Sequence, residues 1–130
     1  MHLADTPKRS VKDKVVVVTG ANSVNGIGRA TSHQFARNGA RAVFICDYKT
    51  DLLDIHAREI QSLYPGVDVH ARKVDAAEES DVENLVNEVL EKYGRLDIFF
   101  ANAGITTGME RITEASADNF MKAMRTNALG

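Results

Sequence analysis

A run of four valines, Val15 to Val18, passes through Thr19 into a turn with glycine at 20, 26 and 28, ahead of a helix-like stretch. Glycines in that setting can cradle a diphosphate. Gly20 can turn the chain sharply, Gly26 lets phosphate oxygens approach the main chain, and Gly28 permits a helix to pack closely on the strand. The new helix adds free amides and the positive end of its dipole. Asp47 closes the next apolar run, about 20 residues on, where a carboxylate can accept hydrogen bonds from both hydroxyls of a ribose. Five residues, Ala21 to Asn25, separate the first two glycines, which is not the spacing of the usual dinucleotide fingerprint.

These residues need a frame of strands and helices. Residues 14 to 19, 41 to 47 and 97 to 101 are short, nearly continuous apolar runs, as expected of parallel strands covered on both faces. Residues 67 to 74 alternate in polarity and suit a strand nearer an edge. Three helical segments lie between them. The clearest spans Glu78 to Tyr93, where Val82, Leu85, Val86, Val89, Leu90 and Tyr93 form one apolar stripe. Gly94 stops it, as Gly39 stops the first helix. A final helix is expected from Ser116 as N-cap, with Phe120, Met124 and Asn127 along one face.

Strand, helix, strand repeated in this way builds right-handed βαβ units and an open, doubly wound α/β sheet. The expected strand order is the Rossmann order 3-2-1-4, stopping after a fourth helix, and the ligand crevice then opens between the first and fourth strands. Thr19-Gly20 and Ala101-Asn102-Ala103-Gly104 flank it. Residues 1 to 12 read as a tail, and 13 to 130 as one dinucleotide-binding domain.

With 130 residues, a single domain is the default. Sixteen basic and eighteen acidic residues give a net charge of −2, without the basic stripe that nucleic acid requires. No apolar stretch approaches about 20 residues and the first residues are polar, so a membrane span and a secretory signal are not expected. The lone cysteine, Cys46, ends the run Val43-Phe44-Ile45 and reads as a buried small hydrophobe in a reducing, cytoplasmic protein. The four histidines are scattered, and no metal site is expected.

Thr19-Gly20, Gly26-Ile27-Gly28 and Asn102-Ala103-Gly104 together resemble the short-chain dehydrogenase/reductase family over residues 13 to 130. In its commonest subfamily three residues separate the first two glycines, so the loop here is two residues longer. The resemblance implies a nicotinamide dinucleotide held by Thr19, Gly20, Asn22, Ser23, Gly26, Ile27, Gly28, Asp47, Asp75, Asn102, Ala103 and Gly104. Asp47 favours NAD, because its charge repels a phosphate on the ribose. Neither Asn25 nor Tyr48 supplies a cation for NADP, although Arg29 and Lys49 stand near enough to leave NADP open. The alternative for Asp47 is a solvated strand-end carboxylate.

Asp75 matches the family position that contacts the adenine amino group, or else it caps the following helix. Asn102 matches the asparagine of the Asn-Ala-Gly turn, with Ala101 where a further asparagine usually stands; the alternative is a loop residue bonding its own backbone. Asn127 resembles the asparagine of the catalytic Asn-Ser-Tyr-Lys group, or serves as a surface or interhelical hydrogen-bonder. Family members carry the serine and Tyr-x-x-x-Lys beyond this point. Tyr48, Tyr64 and Tyr93 are followed four positions later by Leu52, Asp68 and Asp97, so none forms the pair.

The chain therefore reads as the cofactor-binding half of an NAD(P)-dependent oxidoreductase acting on an alcohol or ketone, inactive alone. A non-catalytic dinucleotide-binding module and a truncated structural remnant are the alternatives. The apolar fourth strand, with an open edge, predicts self-association or a homo-oligomer.

Overall fold

The computed structural model describes residues 10–106 and 111–129, so most of the expected N-terminal tail lies outside the described residues. Strands and helices alternate: β1 (Val15–Thr19), α1 (Ile27–Arg37), β2 (Ala42–Asp47), α2 (Leu53–Leu63), β3 (Asp68–Lys73), α3 (Glu79–Tyr93), β4 (Ile98–Phe100) and α4 (Ala117–Asn127). All strand pairs are parallel, and the sheet order is β3-β2-β1-β4. β1 is central. Its Val17 aligns with Phe44 of β2 on one side and Phe99 of β4 on the other.

Alternation along a strand sends successive side chains to opposite faces, so a run of valines serves two cores at once. Val16, Val18, Val43 and Ile45 pack with Ala36, Leu53 and Ile60 beneath α1 and α2. Val15, Val17, Ala42, Phe44 and Cys46 pack with Leu85 and Val89 of α3 on the other face. Helices on both faces make the sheet doubly wound, as the sequence pattern predicts.

The edge strand β3 is tied to α3 by polar groups. Arg72 forks onto Glu88 with nitrogen–oxygen distances of 2.6 to 3.1 Å. The Tyr93 hydroxyl donates to Asp68 at 3.0 Å, which leaves His70 Nε2 to donate to the Tyr93 oxygen at 2.6 Å. The His70 ring stacks on Phe44 with centroids 4.6 Å apart. Burial and then the Lys92 and Arg72 charges hold the His70 pKa below its ordinary value.

β4 departs from the expected two-sided cover. Ile98 and Phe100 pack against the α1–α2 face, but Phe99, on the face of α3, is 38% exposed. α3 covers β1 to β3, and among the described residues nothing pairs with the outer edge of β4. α4 begins at Ser116 as expected, whose hydroxyl accepts from the Asn119 amide at 3.1 Å. None of its residues is buried.

Ile60 is fully buried under the sheet, whereas Ile55 on the same helix is exposed. Ile60→Ala should cost about 2–5 kcal/mol in urea unfolding, and Ile55→Ala within about 0.5 kcal/mol of nothing.

Candidate functional site

The end of β1 and the start of α1 meet at one carbonyl. A Cβ placed on Gly28 would lie 2.4 Å from the Gly20 oxygen, and one on Gly20, where φ is +72°, would lie 2.9 Å from Ala103 Cα. Only glycine fits at either position. The Asn102 side-chain amide donates to the Thr19 and Gly20 oxygens at 3.2 and 3.3 Å. Thr19 Oγ1 in turn accepts from the Asn102 and Ala103 amides, each at 3.1 Å. The turn after β4 is thereby sewn to the turn after β1, and the crevice has two fixed walls.

α1 opens into that crevice uncapped. Gly26 has no side chain to accept from the first turn, and its own amide is taken by the Ser23 oxygen at 3.1 Å. The amides of Ile27, Gly28 and Arg29 have no intrahelical acceptor. α2, α3 and α4 each carry an acid in the first turn; α1 carries none. An anion binding there would meet free donors and no competing carboxylate, so the chain's own residues fit a dinucleotide diphosphate.

Asp47 sits beside this opening. Its Oδ2 accepts from the Asn22 amide at 3.0 Å and its Oδ1 from the Lys49 amide at 3.1 Å. The carboxylate is held in one rotamer, and each oxygen keeps lone-pair capacity for a hydroxyl donor. Asn22 lies beneath, 7% exposed, with both side-chain polar atoms engaged: Nδ2 donates to Asp51 at 2.9 Å and Oδ1 accepts from the Leu52 amide at 2.9 Å. Its side chain thus builds the loop. Ser23 and Ile27 are exposed at the mouth.

Asp75 follows Val74, whose amide bonds the Asp47 carbonyl at 3.0 Å. It is not the cap of α3, because the N-cap is Glu78; instead Asp75 Oδ1 accepts from the Ala77 amide at 2.9 Å in a tight turn. Asn127 is the last residue of α4. Its side chain brackets Ile105, accepting from the amide at 2.7 Å and donating to the carbonyl at 2.8 Å, with Gly104 alongside. Of the surface or interhelical bonding expected of this amide, the structure shows the surface form, an exposed clasp from helix to loop. Its main-chain carbonyl belongs to the last turn, which helix geometry leaves without an intrahelical donor.

Three supporting residues escaped sequence reasoning. His56, 4% exposed, sets its Nε2 2.8 Å from the Asn22 carbonyl. Its position between Leu53 and Ile60 on the buried face of α2 was the available signal. Arg29 and Glu59 form an ion pair of 2.9 Å, which no spacing rule connects. Two other groups carry no site chemistry. Burial pushes the Cys46 thiol up to about 12, so it stays protonated at neutral pH. Burial and the Asp68 contact push the Tyr93 phenol up to about 12, the opposite of what proton transfer from a phenol needs. Among the described residues no group of side chains could hold a metal ion, and no helix is long and apolar enough to cross a membrane.

The short chain dehydrogenase family profile matches residues 14–130. The chain belongs to that family. Among relatives, short chain aldehyde dehydrogenase 1 of Euphorbia lathyris is 37% identical over 127 residues, covering 97% of this chain and 42% of its own length. The NADP-dependent mannitol dehydrogenase of Alternaria alternata is 33% identical over 121 residues, covering 93% of this chain and 45% of its own. Among solved structures, a Burkholderia phymatum short chain dehydrogenase/reductase in complex with NAD superposes with a TM-score of 0.82 at 27% identity, over 92% of this chain and 41% of that one. The chain spans less than half the length of each.

Gly28→Ala drives a methyl group into the Gly20 carbonyl, and the chain must either separate α1 from β1 or unfold. A loss of at least about 3 kcal/mol in denaturant stability is expected, well above the roughly 1 kcal/mol that typical point changes cost.

Proposed function

We propose that this chain is the cofactor-binding half of an NAD(P)-dependent oxidoreductase, exchanging hydride between the cofactor and an alcohol or ketone substrate. The observation that carries this is the uncapped, acid-free start of α1 beside the fixed Asp47 carboxylate. Family membership supports it independently.

In this reading the amides of Ile27, Gly28 and Arg29 hold the diphosphate, with Thr19, Gly20, Ser23 and Gly26 shaping the turn around it. Asp47 accepts from the adenosine ribose hydroxyls, Asp75 lies toward the adenine, and Asn102, Ala103 and Gly104 line the opposite wall. Bound there, the nicotinamide supplies or accepts the hydride. The chain's own residues orient it and keep the crevice walls fixed. Asn127 contributes through its main-chain carbonyl to a proton path whose serine, tyrosine and lysine are not among these residues. NAD is preferred over NADP, because Arg29 is engaged by Glu59 while Asp47 presents negative charge to a 2′-phosphate. A reducing, cytoplasmic setting agrees with the single buried thiol.

NADH titration by its own fluorescence tests this, helped by the absence of tryptophan. Saturable binding is expected. Asp47→Asn, which keeps an acceptor for the Asn22 amide but removes the charge, should raise the NADH dissociation constant about tenfold and narrow the gap to NADPH. No saturable signal from the unaltered chain would end this proposal.

The open edge of β4, with Phe99 beside it, favours self-association of this chain. Sedimentation velocity should show concentration-dependent association, reduced by Phe99→Lys; a strict monomer at all concentrations would contradict it.

A further inference from the structure

The five residues between Gly20 and Gly26 begin anchored to β2, through the Ala21 amide on the Cys46 carbonyl and the Asn22 amide on Asp47, and Asn22 is also held by α2 and the turn that precedes it. Asn22 is fixed by Asp51, by the Leu52 amide and by His56. Two residues on, the Val24 carbonyl accepts from Arg29 Nη1 at 3.3 Å. The other terminal nitrogen of the same guanidinium is clasped by both Glu59 oxygens, at 3.1 and 2.9 Å. Ser23, Val24 and Asn25 are exposed, so no apolar burial holds this arc.

The polar cost of the arrangement is concentrated here. Among the described residues, the buried side-chain nitrogens without a hydrogen-bond partner are Arg29 Nε, His33 Nε2 and His56 Nδ1. All three belong to residues of the α1–α2 contact, behind the loop. A buried donor or acceptor left unmade is destabilising, so the bonds these residues do make, Arg29 to Glu59 and Val24 and His56 to Asn22, offset a cost. Burial, and after it the Arg29 charge, lowers the His33 pKa. The Arg29 hydrogen bond holds the Glu59 carboxyl below the usual range.

The geometry points to Arg29 and Glu59 as positioning residues for the diphosphate: Glu59 aims the guanidinium at the Val24 carbonyl, and this contact fixes the lengthened loop so that the first amides of α1 stay open to the ligand. This rests on the cofactor reading above. It predicts that cofactor affinity depends on a residue of α2 that never touches cofactor. A guanidinium released from Glu59 would drop the Val24 carbonyl, and the exposed arc would sample conformations that cover the amides.

Two variants separate this role from simple stapling of α1 to α2. Glu59→Ala removes the clasp. Arg29→Glu/Glu59→Arg restores an ion pair between the helices but leaves no donor at position 29 for the Val24 carbonyl. Amide hydrogen exchange of the chain without ligand is the first readout, because it does not depend on cofactor binding. In both variants the Asn22 and Gly26 amides should exchange at least about tenfold faster, with Phe44 and Ile45 unchanged. The swapped variant should keep the unaltered melting temperature; because it also places a carboxylate in the first turn of α1, NADH affinity is read on Glu59→Ala alone, where binding should weaken about fivefold. If the swap restores loop protection, if loop exchange never changes, or if Glu59→Ala binds NADH as the unaltered chain does, the contact only staples helices and the inference is wrong. Should Glu59→Ala fail to fold, the swap alone decides. Absent NADH binding in the unaltered chain would remove the cofactor reading, while exchange would still decide whether the loop is clamped.

Discussion

The Gly20 carbonyl is the point on which this architecture turns. α1 approaches it so closely that residue 28 has no room for a side chain, and the Asn102 amide reaches it from the turn after β4. Both walls of the crevice are therefore referenced to one peptide group at the end of β1. Close helix–strand approach brings the α1 amides to the sheet's C-terminal edge, where charge from the dipole is undiluted by an intervening side chain. The carboxylate of Asp47 is keyed to the same place through the Asn22 amide.

The elements that organise this point were legible because their signals are periodic and local. Valines at 15 to 18 satisfy two faces of a parallel sheet and cannot do so on a surface strand. The α3 stripe ends at Gly94 as its spacing requires. The strand order is that of the Rossmann arrangement to which the alternation of strand and helix points, and the glycines at 20 and 28 are legible from the sharp turn and close approach they permit. Asp75 was half legible: its type suits a cap, but α3 starts at Glu78 and Asp75 turns back on Ala77 instead.

What escaped sequence reasoning depends on contacts between distant positions. Arg29 and Glu59 are thirty residues apart, and nothing in either local pattern announces the pair. His56 occupies an apolar helix face, where its imidazole looks like an intrusion until the Asn22 carbonyl is seen opposite it. Asn22 itself carries the type expected of a loop residue facing ligand, yet its side chain points into the fold and is consumed there. The exposure of Phe99 follows from where α3 lies, which a strand's own composition does not encode.

The strand order also dictates when β1 can be satisfied. Val15 to Val18 leave the ribosome first, their β2 partners at 42 to 45 follow, and the other flank waits for Ile98 to Phe100. Closing so long a connection adds little entropy per extra residue but delays the reward of the contact. A nascent chain therefore carries one finished flank and one bare flank of its most apolar segment from the emergence of β2 until that of β4, and the interval is a time when it is open to capture by chaperones or by copies of itself.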